Sequence, residues 1–385
     1  MDRLIASVKE KAAGRTVVLP VFGDAESLSA VAICALALTP QKVFAICIDH
    51  GMLRKNELEL ISAFLKKLSV GFKVVDAEKS FAIATVRGGD GKVIGPLSCV
   101  YSPREKRDII TYALNKCYFD CVENDFGDSE KYLITGMHGI GGDSIVEITG
   151  AAMKIAKDAG ADEMLCSQPF PVSALAIRML CNQHVIALTT EQRQMLSDIV
   201  SKTNAEFGEK LIPLRSVGIC NGERSYKCIA ALSHKGVTGD YKQAFELSRL
   251  IDDSLPFVNR VVFRVDSDRH AANIHSKPLY LNGEALDVLR EADAIVAKEF
   301  ITTNAAQFFA VLIPIVSDKE KRFSIVIRAV STSDYKTAKA LVPGVDFPLS
   351  VLEKTVSRIK NVLDEYVDMI FYDITSKPPA AIEFE

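Results

Sequence analysis

Two rhythms of apolar positions alternate along the first part of the chain. Short apolar runs, "TVVLPVF", "KVFAICID", "GFKVVDA" and "KYLITG", predict strands. Between them lie helical patterns. "ESLSAVAICALAL" is apolar on every side and reads as a buried helix. "NELELISAFLKKLS" is amphipathic, with Leu58, Ile61, Leu65 and Leu68 on one face, and "EKRDIITYALNKCYFDCV" is a further helix. The opening "MDRLIASVKEKAAGRTVVLP" reads as a charged amphipathic helix without a signal-peptide core. Strand and helix in alternation predict a parallel sheet covered on both faces, an α/β domain. Sites in such sheets lie beyond the carboxyl ends of the strands. That singles out "FGDAES", "DHGMLRKNE" and "TGMHGIGGDS", each of which follows a predicted strand.

The rhythm changes after "CSQPFPVSALAIRML". A helix around residues 189–207 precedes the strand-like runs "PLRSVGICNGERSYKCIAAL", "NRVVFRV", "FAVLIPIV", "RFSIVIRAVST" and "DMIFYDIT". Helical "DYKQAFELSRLI" and "LSVLEKTVSRIKNVL" fall among them. This half reads as an α+β domain, giving two domains at 1–180 and 181–385. "VRGGDGKVIGP" (residues 86–96) reads as a flexible surface loop.

Composition changes this picture little. Of 385 residues, 48% are hydrophobic and 25% charged, enough for a substantial core. A net charge of −3 argues against a general nucleic-acid binder. No apolar run reaches the ~18–20 uncharged residues that would cross a membrane. Nine cysteines without CxxC spacing read as free, mostly buried thiols of a cytoplasmic protein. Cys117 and Cys121 form an i,i+4 pair, with no His or further Cys in the sequence nearby to complete a metal site.

The candidate chemistry concentrates at "FGDAES". A strand, a Gly-containing turn and a helix N-terminus make the layout of a nucleotide-phosphate loop. Such a loop wants small residues and bare N–H groups. Here Phe22 is bulky, and Asp24 and Glu26 are anionic. Acidic side chains also cap helix N-termini, with no phosphate involved. The sequence leaves both readings open.

Several strings resemble one family, GMP synthetase, in the same order: "IDHGMLRKNE", "SPREKRDII", "PFPVSALAIR", "PLRSVG", "RSY", "NRVV" and the terminal "YDITSKPPAAIEFE". The resemblance spans residues about 15 to 385 and implies an ATP-pyrophosphatase domain (adenine nucleotide alpha-hydrolase-like) followed by an α+β dimerisation domain. The family's amino-terminal glutamine amidotransferase domain has no counterpart in this sequence. The family uses ATP and Mg2+ to adenylate XMP, releases pyrophosphate, and lets ammonia displace AMP to give GMP.

Against the family's "SGGVDS" loop, this chain keeps Gly23 and Ser27, has Ala25 between the two carboxylates, and replaces a Ser by Phe22, a Gly by Asp24 and the metal-binding Asp by Glu26. Asp24 would oppose a phosphate at ~4 Å by roughly 1–4 kcal/mol. Glu26 remains a weak candidate for Mg2+, its carboxylate displaced by about an ångström. Further along, Gly136 and Asp143 are kept as nucleotide-binding candidates, whereas Thr135 and Met137 replace the family's Gln and Thr. The family's His-His-Asn lid is missing, and Val172, Ser173 and Ala174 replace Gly, Pro and Gly before Arg178. His138 reads as a tolerated surface residue rather than a base.

Other matches are kept. Asp49 falls where the family meets adenosine, and Arg54, Lys55, Glu57, Glu105, Lys106 and Arg107 keep its charged clusters. Arg224, Lys377 and Glu383 match positions that contact XMP in the family, although Ala380 and Ala381 replace its Gly-Thr and Phe384 its Trp. The tail is also readable as dimer packing alone. The resemblance therefore implies a homodimeric relative, impaired or inactive as a synthetase, that binds XMP or GMP or regulates a partner such as full-length GMP synthetase. The alternative is an active glutaminase-less subunit using ATP, Mg2+ and ammonia from a separate glutamine amidotransferase. A tRNA-thiolating pyrophosphatase would want a catalytic Cys pair and basic RNA-binding additions, and the sequence has neither.

Overall fold

In the computed structural model the chain is described except at residues 128, 135–151, 169–172, 184–185, 204–205, 235–239, 268–273, 318–319 and 335. It divides into two compact units, residues 1–100 with 104–174, and residues 175–385 with 101–103.

The first unit opens with helix α1 (Asp2–Ala12), strand β1 (Thr16–Val21) and helix α2 (Ala25–Ala37). Strand β2 (Val43–Asp49), helix α3 (Glu57–Lys67), strand β3 (Gly71–Asp76) and the short helix α4 (Glu78–Ala82) follow. After the two-residue strands β4 (Val86–Arg87) and β5 (Val93–Ile94) come α5 (Pro103–Phe126), β6 (Lys131–Leu133), α6 (Ala152–Asp158) and α7 (Glu163–Cys166). The sheet order is β3-β2-β1-β6, and every pairing is parallel. Each predicted strand of this half forms. Helix α2 is buried along most of its length, including Leu28, Val31, Ile33 and the polar Ser29, whose hydroxyl bonds the Ala152 carbonyl at 2.6 Å. Its sequence is apolar all round because α1, α6 and the sheet all pack on it. The segment read as a flexible loop is instead a small hairpin, since β4 and β5 pair antiparallel. Gly88, Gly89, Gly91 and Asp90 serve its turn, where Asp90 accepts the Lys92 amide at 3.1 Å.

The second unit contains α8 (Thr190–Thr203), β7 (Phe207–Cys220), β8 (Glu223–His234), α9 (Tyr241–Ser254), β9 (Val258–Arg264), β10 (His275–Ser276) and α10 (Gly283–Phe300). Then come β11 (Gln307–Ile313), β12 (Ile315–Val316), β13 (Phe323–Ser331), β14 (Lys339–Ala340), α11 (Leu349–Leu363) and β15 (Val367–Asp373). The main sheet runs β11-β13-β15-β9-β8-β7, with β14 on β13. It is mixed: β13 pairs parallel with β15 and β8 with β9, while the other neighbours are antiparallel. This is an α+β unit, as the pattern predicts. The β7–β8 hairpin turns at Asn221 and Gly222, both at positive φ (52° and 81°), as a tight hairpin turn requires. Among the described residues no helix is long and apolar enough to cross a membrane.

Candidate functional site

The turn between β1 and α2 is built around its own carboxylate. Asp24 is the N-cap of α2, in extended conformation, and only 4% exposed. Its Oδ1 accepts the Glu26 amide at 2.9 Å and the Ser27 amide at 3.0 Å. The Ser27 hydroxyl donates to Asp24 Oδ2 at 2.8 Å, and Ser27 Oγ accepts the Phe22 amide at 3.2 Å. Amides at a helix N-terminus are what a bound phosphate would use. Here an internal anion already holds two of them and the hydroxyl, so Asp24 is a helix cap. A triphosphate entering this turn would have to displace that carboxylate and pass buried Phe22. The residues present do not fit ATP phosphates at this position. Glu26, half-buried beside the cap, gains no visible metal cage: among the described residues no three His, Cys, Asp or Glu side chains form a metal-holding group.

"RKNE" braces the turn from below. Asn56 takes a left-handed conformation, φ 58°, before α3 begins. Arg54 Nε lies 3.1 Å from Glu57 Oε2, the same oxygen that accepts the Arg54 amide at 2.7 Å. The guanidinium also donates to the carbonyls of Gly23 at 3.0 Å and Met164 at 3.1 Å. Glu57 is 1% exposed, and its second oxygen, Oε1, has no hydrogen-bond partner. Gly23 is at φ +71°, and a Cβ on it would lie 2.2 Å from that oxygen, so the position admits only glycine. Gly23, Arg54 and Glu57 thus act as one structural unit, while Lys55 is exposed.

The end of β2 is also turned inward on itself. Asp49 Oδ1 accepts the Gly51 amide at 3.0 Å. His50 Nδ1 accepts the Met52 amide at 3.1 Å, and its ring centre is 5.6 Å from that of Phe81. Burial pulls the His50 imidazole down to about 4, against the opposing charge of Asp49. His50 is therefore neutral at physiological pH. On α5, Lys106 is fully buried and Glu105 and Arg107 are half-buried. Gly136 and Asp143, together with Thr135, Met137, His138 and Val172, lie outside the described residues. Ala174, which follows Ser173 and stands where the resemblance has glycine, is buried with φ 49°. The glycine-type backbone persists there without the glycine.

In the second unit the tail after β15 lies along β7. Ile219 N donates to Pro379 O at 2.7 Å, Val217 N to Phe384 O at 2.9 Å, and Ala381 N to Val217 O at 3.2 Å. Gly218 permits this approach, because a Cβ there would sit 2.4 Å from the Pro379 carbonyl oxygen. Buried arginines fix the tail from the other side. Arg260 and Arg328, both fully buried, share the buried carboxylate of Asp373. Arg260 also donates to Ala381 O at 2.9 Å and Glu383 O at 3.0 Å, and its guanidinium stacks 3.7 Å from the centre of the Phe384 ring. Arg328 donates to Thr375 O and Ala381 O, each at 3.0 Å. Arg178 links Glu383 at 3.3 Å to Asp293 at 3.4 Å. Arg260, Arg328, Asp373 and Asp293 escaped the sequence reading. For Arg260, Arg328 and Asp373 the available signal was charges inside otherwise apolar strands, as in "NRVVFR", "SIVIRAV" and "IFYDIT"; Asp293 lies on α10.

The tail also walls a cavity of about 570 Å3. Its lining includes the hydroxyl residues Ser331, Thr332, Ser333, Thr337 and Ser376, together with Lys339 and Lys377. Burial lowers the Lys377 ammonium, with Asp334 opposing and Arg328 adding to the shift. Lys339 pairs with Asp346 at 2.8 Å. Hydroxyls and ammonium groups around one space suit a small anion such as a phosphate monoester. Of the three tail-side candidates, Lys377 lines this cavity, the Glu383 carboxylate is held by Arg178, and Arg224 is exposed on β8 opposite Ile219.

Residues 294–384 match the family model for the GMP synthase C terminal domain. Across the whole chain the sequence is 24% identical to the GMP synthase [glutamine-hydrolyzing] of Dictyostelium discoideum, covering 100% of this chain and 64% of that protein. It is 25% identical to the probable GMP synthase [glutamine-hydrolyzing] of Leptospira interrogans serogroup Icterohaemorrhagiae serovar copenhageni, covering 95% of this chain and 63% of that protein. The chain thus spans less than two thirds of the length of these relatives. Among solved structures, an NH3-dependent NAD synthetase from Campylobacter jejuni aligns with a TM-score of 0.33 at 15% identity, over 43% of this chain and 74% of that one. Residues 294–384 thus carry the GMP synthase C terminal domain, and the chain is similar along its length to proteins named GMP synthase.

Proposed function

We propose that this chain is a GMP synthase-family protein that has lost, wholly or severely, the ATP-dependent amination of XMP. It is retained as a cytoplasmic homodimer that binds a purine nucleoside monophosphate, XMP or GMP, through Lys377, Arg224 and Glu383, and acts as a binding or regulatory partner. One observation carries the loss: the Asp24 carboxylate caps α2 and takes the amides of Glu26 and Ser27 and the Ser27 hydroxyl. The cavity walled by Lys377, Lys339 and five hydroxyl side chains supports the retained pocket.

The second reading is an active glutaminase-less subunit fed ammonia by a separate amidotransferase. The intact Arg54–Glu57 brace favours it, because the frame of the loop is maintained. Incubating the purified protein with XMP, Mg-ATP and high ammonium, while following pyrophosphate and GMP, separates the two. Steady GMP formation at a turnover on the order of 1 s−1 would sink the first reading. If neither XMP nor GMP protects the protein against heating, the monophosphate pocket falls independently of the activity result.

A further inference from the structure

A second cleft, of about 570 Å3, lies in the first unit along β3, α4 and α5 and shares no lining residue with the turn at Asp24. Its volume falls within the range of small-molecule sites. Val75, Ala113 and the buried ring of Phe81 line its interior. Ile83, 72% exposed, and Tyr112, 50% exposed, also line it.

The charges here are already matched. Lys73 pairs with Asp125 at 2.7 Å, and Lys116 with Asp120 at 2.8 Å. The Cys121 thiol donates to Asp125 at 3.3 Å, completing that cluster. Burial pushes Cys121 up to about 11 and raises Cys117 as well, so both thiols stay protonated and offer neither a soft anion nor a metal thiolate. Each ammonium already faces a carboxylate, so neither an anion nor a cation meets an uncompensated opposite charge here. A neutral molecule needs no such charge. Phe81 and Tyr112 give the lining aromatic character that suits a flat ring system, and Asn124 adds an amide with a donor and an acceptor.

We propose that this cleft is a binding site for an uncharged aromatic heterocycle of up to about nucleoside size, separate from the nucleotide pocket of the second unit. The fused bicyclic pair quinoline-4-carboxamide and quinoline-4-carboxylate tests it, since the two differ in charge but hardly in shape. Each is titrated into the full chain by calorimetry, and alkylation of Cys117 by iodoacetamide is followed by mass spectrometry. The carboxamide should bind saturably, slow Cys117 alkylation at least about threefold, and bind at least about tenfold more tightly than the carboxylate. Ala84→Trp at the half-buried rim and Ala113→Trp in the wall should each remove binding, with Ala84→Trp deciding if Ala113→Trp does not fold. No carboxamide binding, equal binding of the carboxylate, or unchanged affinity in Ala84→Trp overturns the proposal. GMP protection of the second unit is measured separately and bears on neither result.

Discussion

Asp24 and Ser27 are joined at both backbone and side chain: the Asp24 carboxylate accepts the Ser27 amide at 3.0 Å and the Ser27 hydroxyl at 2.8 Å. Replacing Asp24 by Ala removes a cap worth about 1 kcal/mol, which should lower Tm by roughly 2–4 °C. Replacing it by Gly removes the carboxylate at a smaller cost in stability and leaves the amides of Glu26 and Ser27 open. Magnesium pyrophosphate at millimolar concentration should then raise the melting temperature of Asp24→Gly and leave that of the parent unmoved. Equal responses of the two proteins would mean that the carboxylate does not control the anion seat.

The brace beneath the turn predicts a larger effect. Arg54→Met strands the Glu57 carboxylate, which is 1% exposed, without its cation. Breaking a buried pair in this way costs about 3–5 kcal/mol. The double variant Arg54→Met, Glu57→Leu should recover much of that loss, because no buried charge is left. Urea titration of the three proteins checks this. A single Arg54→Met variant within about 0.5 kcal/mol of the parent would show that the pair is not the support of Gly23.

Much of the frame was legible because it rests on periodicity. β1, β2, β3 and β6 are apolar runs, and α3 shows its buried face at Ile61 and Leu65. Helix α10 was equally visible in "GEALDVLREADAIVAKEF", where Ala285, Leu289, Ala292 and Val296 repeat at helical spacing, and went unread. The hairpin at Val86 and Val93 was hidden because two-residue strands carry no period. At the site, chemistry was legible and direction was not. Asp24 reads equally as spoiled cradle or as cap until the amides of Glu26 and Ser27 are seen to end on it. Arg260, Arg328 and Asp373 lie more than forty residues apart in sequence, so their convergence is a property of the β9–β15–β13 arrangement, not of any local string.

Buried His50 and half-buried Asp252 give the chain opposite acid and base sensitivities. His50 is pulled from its ordinary value near 6.5 to about 4 by burial, so the unfolded chain binds its proton more readily than the folded one. Its contribution is fully present above pH 6.5 and is lost as pH falls through 4, amounting to about 3 kcal/mol at most. Asp252 is the reverse: burial first, then Asp373 and Asp253, push it up to about 8, and its Oδ1 has no hydrogen-bond partner. Its protonated form favours the folded state, so that stability is present below about pH 4 and is lost as pH rises through 8. Asp252→Asn should therefore raise Tm at pH 8.5 by roughly 3–6 °C and change it little at pH 4. A His50→Gln variant should flatten the acid limb between pH 6.5 and 4. Melting curves across this range settle both, and a pH-independent difference between Asp252→Asn and the parent would contradict the assignment.

The last prediction concerns how the tail is held against the cavity that Lys377 lines. Arg328 donates to Asp373 at 2.5 Å and reaches Thr375 O and Ala381 O on either side of Lys377, while Arg260 reaches Ala381 O and Glu383 O. A guanidinium can serve an acid and two carbonyls at once because its donors form a fixed planar fork, which an ammonium cannot do. Arg328→Lys keeps the charge beside Asp373 but should lose the carbonyl contacts, loosening the segment Thr375–Ala381. Asp373→Asn leaves two buried guanidiniums without an anion and should destabilise the unit by about 3–5 kcal/mol. Arg328→Lys should instead retain most of the stability, weaken GMP protection by about tenfold in concentration, and speed removal of the terminal residues by a carboxypeptidase. Faster digestion with unchanged GMP protection would show that the clamp orders the tail without shaping the pocket. Neither change would show that Asp373 alone fixes the segment and that the arginine fork is dispensable.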